Sequence, residues 1–260
     1  MSSHNISDPH DDATNRLASR TDEPGLTFGL TVWLFAAALA AGLLAWLAGE
    51  STPMWVAPEQ VPMVTMGTRH NGTTTATEQA AIVATASRIN GAFGALLGLA
   101  LGAAGGLAIR SSAKALRSAV LGAVLGGLAA GAAALGATRV FHQSRDLIAN
   151  ELIASLLLHS AMWVAVALPA ALAFSLGAGS RRLGIGRALL GGAFGALIGT
   201  VVFEFAGAVV FPTDETGEPI STTALSRLAA FLCVALFTAL GIWATFVKAK
   251  PATAPSSSHP

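Results

Sequence analysis

Long apolar runs, separated by short polar stretches, dominate the pattern of this chain. An apolar run of about 18 or more residues with few charges is long enough to cross the hydrocarbon core of a bilayer as a helix. Six runs meet this length, near residues 26–49, 89–109, 118–138, 152–177, 188–211 and 228–247. The pattern therefore predicts an all-α membrane protein with six transmembrane helices.

The composition excludes a soluble globular domain. Hydrophobic residues make up 53% of the chain and charged residues only 11%, whereas soluble domains carry about 25% charged residues. Residues 1–25 and 249–260 are polar and contain no apolar run. We expect them to be disordered cytoplasmic tails on either side of a bundle that spans 26–248. The first tail has no apolar core and does not match a secretory signal peptide.

Lysine and arginine predict how the helices are oriented, because they are enriched in short cytoplasmic loops. Ten lie in the two tails and in the second and fourth connections, namely Arg16, Arg20, Arg110, Lys114, Arg117, Arg181, Arg182, Arg187, Lys248 and Lys250. Five lie on the other side, namely Arg69, Arg88, Arg139, Arg145 and Arg227. This distribution predicts six spans with both termini cytoplasmic. With no targeting segment recognised, we expect a multi-pass protein of a cell membrane and favour a bacterial plasma membrane.

The first, third and fifth connections are the longer ones and lie on the predicted non-cytoplasmic side. Residues 50–76 contain three prolines, which oppose regular helix. Their methionine and valine side chains predict that this loop lies on the mouth of the bundle or in the lipid interface. Residues 143–158 predict a helix that runs into the fourth span. Such a helix would be tilted, broken or begin outside the membrane, and Pro169 predicts a kink within it.

Glycines recur four residues apart, as GxxxG, in three of the runs. Small residues at this spacing let two helix backbones approach closely inside a membrane. The glycines are Gly94, Gly98, Gly102 and Gly106 in the second run, Gly122 and Gly126 in the third, and Gly191, Gly195 and Gly199 in the fifth. They predict close packing within one bundle. An interface between copies or with partner helices, or a pore-lining seam, is the alternative interpretation.

Two internal repeats compete. GAFGALLG at 91–98 recurs as GAFGALIG at 192–199, with seven of eight positions identical. Under the predicted topology these helices run in opposite directions, as in the three-plus-three inverted repeats of many transporters. A repeat of successive hairpins is the rival, because AVLGAVLGGL at 119–128 matches ALLGGAFGAL at 188–197 at five positions. Both repeats use mainly Ala, Gly and Leu, and the sequence leaves the choice open.

Glu204 is the acidic residue that interrupts the fifth run, in GTVVFEFAG. On a helix it shares a face with Gly192, Ala196, Thr200 and Ala208, so it is predicted to point into the bundle. A carboxylate within a membrane helix is costly and marks a candidate functional site. The candidate partners are Arg88, His159, Arg227 and Arg139. A structural ion pair and a proton- or cation-linked site beneath the outer mouth are both compatible with this pattern.

Motifs that would indicate an enzyme are missing. The chain has no phosphate-binding loop, dinucleotide fingerprint, HExxH or GxSxG, and its one cysteine, Cys233, excludes an intramolecular disulfide. The sequence therefore predicts no catalytic residues, no metal site, no cofactor and no nucleic-acid partner. It favours a membrane scaffold or complex subunit whose partners are the lipid bilayer and other membrane helices. The alternative is a small-solute or ion transporter, possibly proton-coupled, with Glu204 in its pathway.

Overall fold

The computed structural model describes residues 24–51, 54–144, 150–180 and 182–247. The predicted tails lie almost wholly outside these residues. The described chain forms the helices α1 Pro24–Gly49, α2 Thr75–Ala108, α3 Ser112–Ser144, α4 Glu151–Gly177, α5 Arg182–Val210 and α6 Ala224–Val247, and the strands β1 Val61–Thr65 and β2 Thr68–Gly72. All six helices are long and apolar enough to cross a membrane, which confirms the six predicted spans.

The two ends of the bundle differ. At one end, α1 is joined to α2 through β1 and β2, and residues 211–223 join α5 to α6. We call this the hairpin end. At the opposite end, short turns of three to four residues join α2 to α3 and α4 to α5. Arg110 lies in the first of these turns with a φ of 56°. Successive helices therefore run up and down.

α2 and α3 are longer than the apolar runs that predicted them. They contain 34 and 33 residues, about 50 Å at 1.5 Å per residue, against a hydrocarbon core of about 30 Å. α2 begins at Thr75 because Thr74 closes a capping box: its side chain accepts from Thr77 N–H, and the Thr77 hydroxyl accepts from Thr74 N–H. Both helices therefore extend beyond the apolar segments at the hairpin end.

The prediction of a helix through residues 143–158 is wrong. α3 continues to Ser144, and α4 begins only at Glu151. Asn150 has extended backbone angles, φ −115° and ψ 106°, and its side chain accepts hydrogen bonds from the N–H groups of Leu152 and Ile153 at 3.1 and 3.3 Å. An asparagine in this position caps a helix. Residues 145–149 lie outside the described residues, and α4 remains helical from end to end with Pro169 inside it.

The connection between α1 and α2 contains an antiparallel hairpin that the sequence did not predict. Val61 lies opposite Gly72, and the pairing continues to Thr65 opposite Thr68. Met66 and Gly67 form the two-residue turn with φ values of 51° and 81°. Positive φ at both central positions is the geometry of the turn that matches the twist of a hairpin.

Five helices form a closed ring in the order α1, α2, α4, α5, α6, and α3 packs outside this ring against α2 and α4. The centre of the bundle is apolar. Its fully buried side chains include Phe93, Leu97 and Leu101 of α2, Val166 and Phe174 of α4, Phe203 of α5 and Val234 of α6. α3 is therefore the peripheral helix of the bundle.

Glycines lie where helix backbones approach most closely. A Cβ added to Gly98 would overlap the carbonyl of Gly122, and one added to Gly94 would overlap the carbonyl of Gly126. The remaining close positions pair Gly102 with Ser118, Gly106 with Ala115, Gly177 with Gly102, Gly191 with Gly241 and Gly195 with Phe237. The Ser118 hydroxyl also donates to the Gly102 carbonyl at 2.7 Å. These contacts join α2 to α3 and α4, and α5 to α6.

The two copies of the GAFGAL segment occupy different surroundings. Phe93 in α2 is fully buried, whereas the matching Phe194 in α5 is 62% exposed. Gly94 lies against Gly126, whereas the matching Gly195 lies against the Phe237 carbonyl. α2 also packs on α4, the first helix of the other half, whereas α5 and α1 are not neighbours in the ring. The packing therefore lacks the two-fold equivalence that an inverted repeat would give.

Candidate functional site

Glu204 lies in α5, six residues before the end of that helix at Val210. It is 4% exposed, and Thr200, one turn earlier on the same face, is fully buried. The Thr200 hydroxyl donates to the Ala196 carbonyl at 3.0 Å, so its hydrogen is used within its own helix. The carboxylate of Glu204 is directed to α4.

His159 of α4 is the partner of Glu204. The His159 Nδ1 atom lies 2.5 Å from the Glu204 Oε1 atom. The Ser155 hydroxyl donates to the same carboxylate oxygen. Ser155 and His159 are four residues apart and so share one face of α4, and they are 2% and 3% exposed. A carboxylate of α5 is thereby held by two donors of α4.

This contact determines how the His159 ring carries its hydrogen. With Glu204 ionised, the carboxylate only accepts hydrogen bonds, so Nδ1 carries a hydrogen and donates it. The other ring nitrogen, Nε2, is then the one that keeps a lone pair. Within the part of the chain that the structure describes, no hydrogen bond reaches Nε2.

Aromatic side chains flank the imidazole. Trp163 stacks on it with a centroid separation of 4.9 Å and an interplanar angle of 29°. Phe203 meets it edge-on at 6.0 Å and also packs against Trp163 at 5.3 Å. Trp163 and Phe203 therefore enclose the imidazole with aromatic surface.

A small cavity of about 30 Å³ borders the His159 ring. This volume matches about one water molecule. Asn90 of α2, Trp163, Ser221 and Arg227 also line the cavity. The Asn90 Nδ2 atom donates to the Ala86 carbonyl of its own helix at 2.9 Å. The amide oxygen of Asn90 is left as an acceptor beside the cavity.

Arg227, which also lines this cavity, forms a second, partly buried pair. Its Nε and Nη2 atoms donate to the two carboxylate oxygens of Glu50 at 2.7 and 2.9 Å. Its Nη1 atom donates to the carbonyls of Ser221 and Thr222 at 2.7 and 2.9 Å. The guanidinium also lies 5.0 Å from the centre of the Trp55 ring. Arg227 was a candidate partner of Glu204, but the structure pairs it with Glu50.

The loop 211–223 covers this site at the hairpin end. Gly217 lies next to Ser155, with the Ser155 side chain 3.5 Å from the place of a Gly217 Cβ. Ile220 packs against the apolar core. The loop is closed by the Thr223 hydroxyl, which donates to Asp214 at 2.5 Å. Glu204 and His159 are therefore separated from the hairpin-end surface by this loop.

A larger groove of about 620 Å³ lies on the outer side of the same loop. Glu78, Glu215 and Glu218 lie on its wall together with Trp55. Pro219 and Ile220 line both this groove and the small cavity. The groove and the cavity beside His159 therefore adjoin at these two residues.

The other two candidate partners lie elsewhere. The side chains of Arg88 and Arg139 are exposed on α2 and α3. Sequence reasoning missed Ser155, Trp163 and Glu50. A signal existed for the first two, because Ser155, His159 and Trp163 are spaced four residues apart and form one stripe on α4. Glu50 follows directly after an apolar run, where a charge looks like an ordinary boundary residue.

The described residues contain no group of three or more His, Cys, Asp or Glu side chains that could hold a metal ion. The site instead offers a carboxylate, an imidazole and a hydroxyl that contact one another. Comparison of the chain with protein-family models, with curated proteins and with solved structures finds no match.

Proposed function

We propose that this multi-pass membrane protein is a scaffold or subunit of a membrane assembly, without catalytic activity of its own. We further propose that both termini are cytoplasmic and that the hairpin end faces the other side. The observation that supports the assembly role is the open small-residue face of α3, the peripheral helix. The packing of the bundle interior and the exposure of α3 both support this proposal.

The interior of the bundle is filled. Between the Glu204–His159 pair and the opposite end, the central positions of α4 are Val166, Ala170 and Phe174, all fully buried. The described helices are unbroken at this depth, whereas transporters commonly use broken helices at their binding sites. We propose that the glycine contacts hold this interior closed, so that the outer surface carries the function.

The outer face of α3 has room for another helix. Ala132 is exposed, and no atom lies within 4 Å of the place where a Cβ of Gly136 would stand. These residues have the small-xxx-small spacing that lets membrane helices pack closely. The glycines that face α2 from the same helix are already in contact. The free small-residue face is therefore suited to a second copy or to a partner helix.

Cysteine cross-linking in native membranes tests this proposal. Cys233 is the only cysteine, so Cys233→Ser provides a cysteine-free background. Ala132→Cys places a thiol on the α3 face, and Val202→Cys places a matched one at about the same height on α5, where Val202 is 38% exposed. We expect oxidation to give a covalent adduct of defined mass at position 132 and none at position 202. Equal cross-linking at both sites, or none at either while both thiols react with a maleimide, contradicts the proposal.

A proton-coupled transporter is the second candidate, and the buried Glu204–His159 pair beside a cavity is the observation that favours it. Such a protein must conduct protons from one end to the other. Purified protein in vesicles loaded with a pH-sensitive dye tests this directly. The scaffold proposal expects proton flux no faster than in protein-free vesicles. A proton flux that exceeds this level and is lost in Glu204→Gln contradicts the scaffold proposal and supports the transporter.

A further inference from the structure

We infer that the Nε2 atom of His159 is a proton-binding site that is supplied from the hairpin end through the small cavity. A proton arrives on water in the cavity and binds Nε2. The Nδ1–H group continues to donate to Glu204 throughout. This inference concerns the buried site itself and stands independently of the proposed assembly through α3.

The chemistry of the pair defines what the proton does. With neutral imidazole and ionised carboxylate, the pair carries one negative charge. When a hydronium ion in the cavity gives its proton to the lone pair of Nε2, one O–H bond breaks, one N–H bond forms, and a water molecule remains. The pair is then an imidazolium beside a carboxylate with no net charge.

The hairpin end offers the shorter route to the pair. His159 lines the cavity, and Pro219 and Ile220 line both that cavity and the open groove of about 620 Å³. On the other side of the pair, toward the opposite end of the bundle, lie the buried side chains of Val166 and Phe174. Water can pass from the groove to the cavity beside Pro219 and Ile220, whereas the apolar core offers no polar partner to a proton. The nearer route therefore leads to the hairpin end.

Every helix packed against α4 contributes to the field at His159. Glu204 faces it from α5 in direct contact, and Arg227 faces it across the cavity from α6. Arg227 is neutralised by Glu50. Asn90 of α2 is uncharged, Arg88 of α2 and Arg139 of α3 are exposed, and Glu215 and Glu218 of the covering loop line the outer groove. The Glu204 carboxylate is therefore the charge in direct contact with the His159 ring.

Trp163 provides an intrinsic reporter of this proton. A protonated imidazole stacked on an indole quenches its fluorescence, and Trp163 stacks on His159 at 4.9 Å. Trp163 is one of five tryptophans, so we expect binding to lower the total emission by up to about one fifth. The titration runs in detergent micelles from about pH 5 to pH 8, the range in which histidine ordinarily changes charge. The reporter signal is the difference between the wild-type protein and Trp163→Phe.

Three variants test the assignment. His159→Asn keeps an N–H donor for Glu204 and cannot take up a proton, so we expect the Trp163-dependent transition to disappear. Asn90→Leu fills the cavity beside an intact pair, and we expect it to slow the response to a pH jump. Thr200→Val is the matched control, a buried polar residue of α5 that is not among the cavity-lining residues, and we expect a wild-type response. A transition that persists in His159→Asn overturns the inference.

The side of access is tested without altering the pair. Protein with Cys233→Ser and Met66→Cys is reconstituted into vesicles, and an impermeant maleimide measures the fraction whose hairpin faces outward, since Met66 is fully exposed. A downward step in external pH should immediately quench the Trp163 fluorescence of that same fraction of the protein. Collapse of the pH gradient by an ionophore should then quench the Trp163 fluorescence of the remaining fraction. The inference is overturned if the protein whose hairpin faces inward responds immediately. It is also overturned if folded protein responds neither to the pH step nor to the ionophore.

Discussion

The bundle contains two acid–base pairs near its hairpin end, and they are built differently. The partly buried Arg227–Glu50 pair joins α6 to the end of α1 through two parallel hydrogen bonds, with Arg227 also bound to two backbone carbonyls. The buried His159–Glu204 pair joins α4 to α5 with one ring nitrogen in use, and His159 lines a small cavity. The first pair is saturated with partners, and the second is not.

This difference separates a structural contact from a responsive one. A guanidinium stays charged at every pH that a protein meets, so the contacts of Arg227 do not depend on protonation. An imidazole changes its charge near neutrality, and Glu204 holds it in one orientation while Nε2 remains available. Exposure alone does not reveal this distinction, because both basic residues are buried, at 8% for Arg227 and 3% for His159.

The largest effect is expected from Arg227→Met. This substitution leaves Glu50 without its cation and two loop carbonyls without a donor. Loss of one member of a buried ion pair costs roughly 3–5 kcal/mol. Because the side chain of Glu50 is 29% exposed and water can replace part of the interaction, we expect a loss of about 2–3 kcal/mol in the free energy of unfolding. Denaturant titration in detergent micelles measures it.

Arg139→Met is the matched control for Arg227→Met, because it removes the same atoms from an exposed site on α3. We expect it to change the free energy of unfolding by less than about 0.5 kcal/mol. If both variants lose stability equally, Arg227 holds no special position, and the contrast between the two pairs fails.

Glu204→Leu is expected to have the next largest effect, about 2 kcal/mol, because it leaves the Ser155 hydroxyl and the His159 Nδ1–H group buried without their acceptor. The informative variant is the double substitution Glu204→Leu/His159→Leu. Replacing both members of a buried pair by apolar residues of similar volume is often neutral or stabilising. We expect the double variant to unfold within about 1 kcal/mol of the wild-type protein.

The same experiment on the other pair provides the contrast. The double substitution Glu50→Leu/Arg227→Leu still leaves the carbonyls of Ser221 and Thr222 without a donor. We therefore expect it to regain less of the free energy of unfolding that the single substitution loses. Equal recovery at both pairs would mean that they differ only in position, which contradicts the distinction between a saturated pair and a responsive one.

The helices were predictable from the sequence because lipid imposes a simple requirement. A span needs an apolar run of sufficient length, and all six runs became helices. Their ends were less predictable. The run near 89 contains only the apolar part of α2, whose first fourteen residues are mainly polar or small and are held by the Thr74 capping box. The break at Asn150 depends on one side chain that caps α4, which hydropathy does not detect.

The candidate site was predictable only in part, because pairing depends on which helices are neighbours. Glu204 and His159 were both recognisable as polar residues in apolar runs. Their contact requires α4 to pack on α5, while Arg227 of α6 contacts Glu50 because α6 packs on α1. The near-identical GAFGAL segments show the same limit, since Phe93 is buried and Phe194 is exposed. Neighbours in the bundle, and not the local sequence, decide these environments.

The smallest effects, and the sharpest comparison, are expected from replacing each carboxylate with its amide. In Glu204→Gln an amide oxygen in the Oε1 position accepts from both His159 Nδ1–H and the Ser155 hydroxyl. Both donors keep their acceptor while a buried charge disappears, so we expect a change below about 1 kcal/mol. In Glu50→Gln an amide N–H group faces the N–H groups of Arg227, one of two parallel bonds is lost, and the guanidinium loses its counter-charge. We expect a loss of about 1.5 kcal/mol there. The less buried carboxylate should therefore be the more costly to neutralise, and the opposite order in unfolding titrations would show that Glu204 is the structural pair.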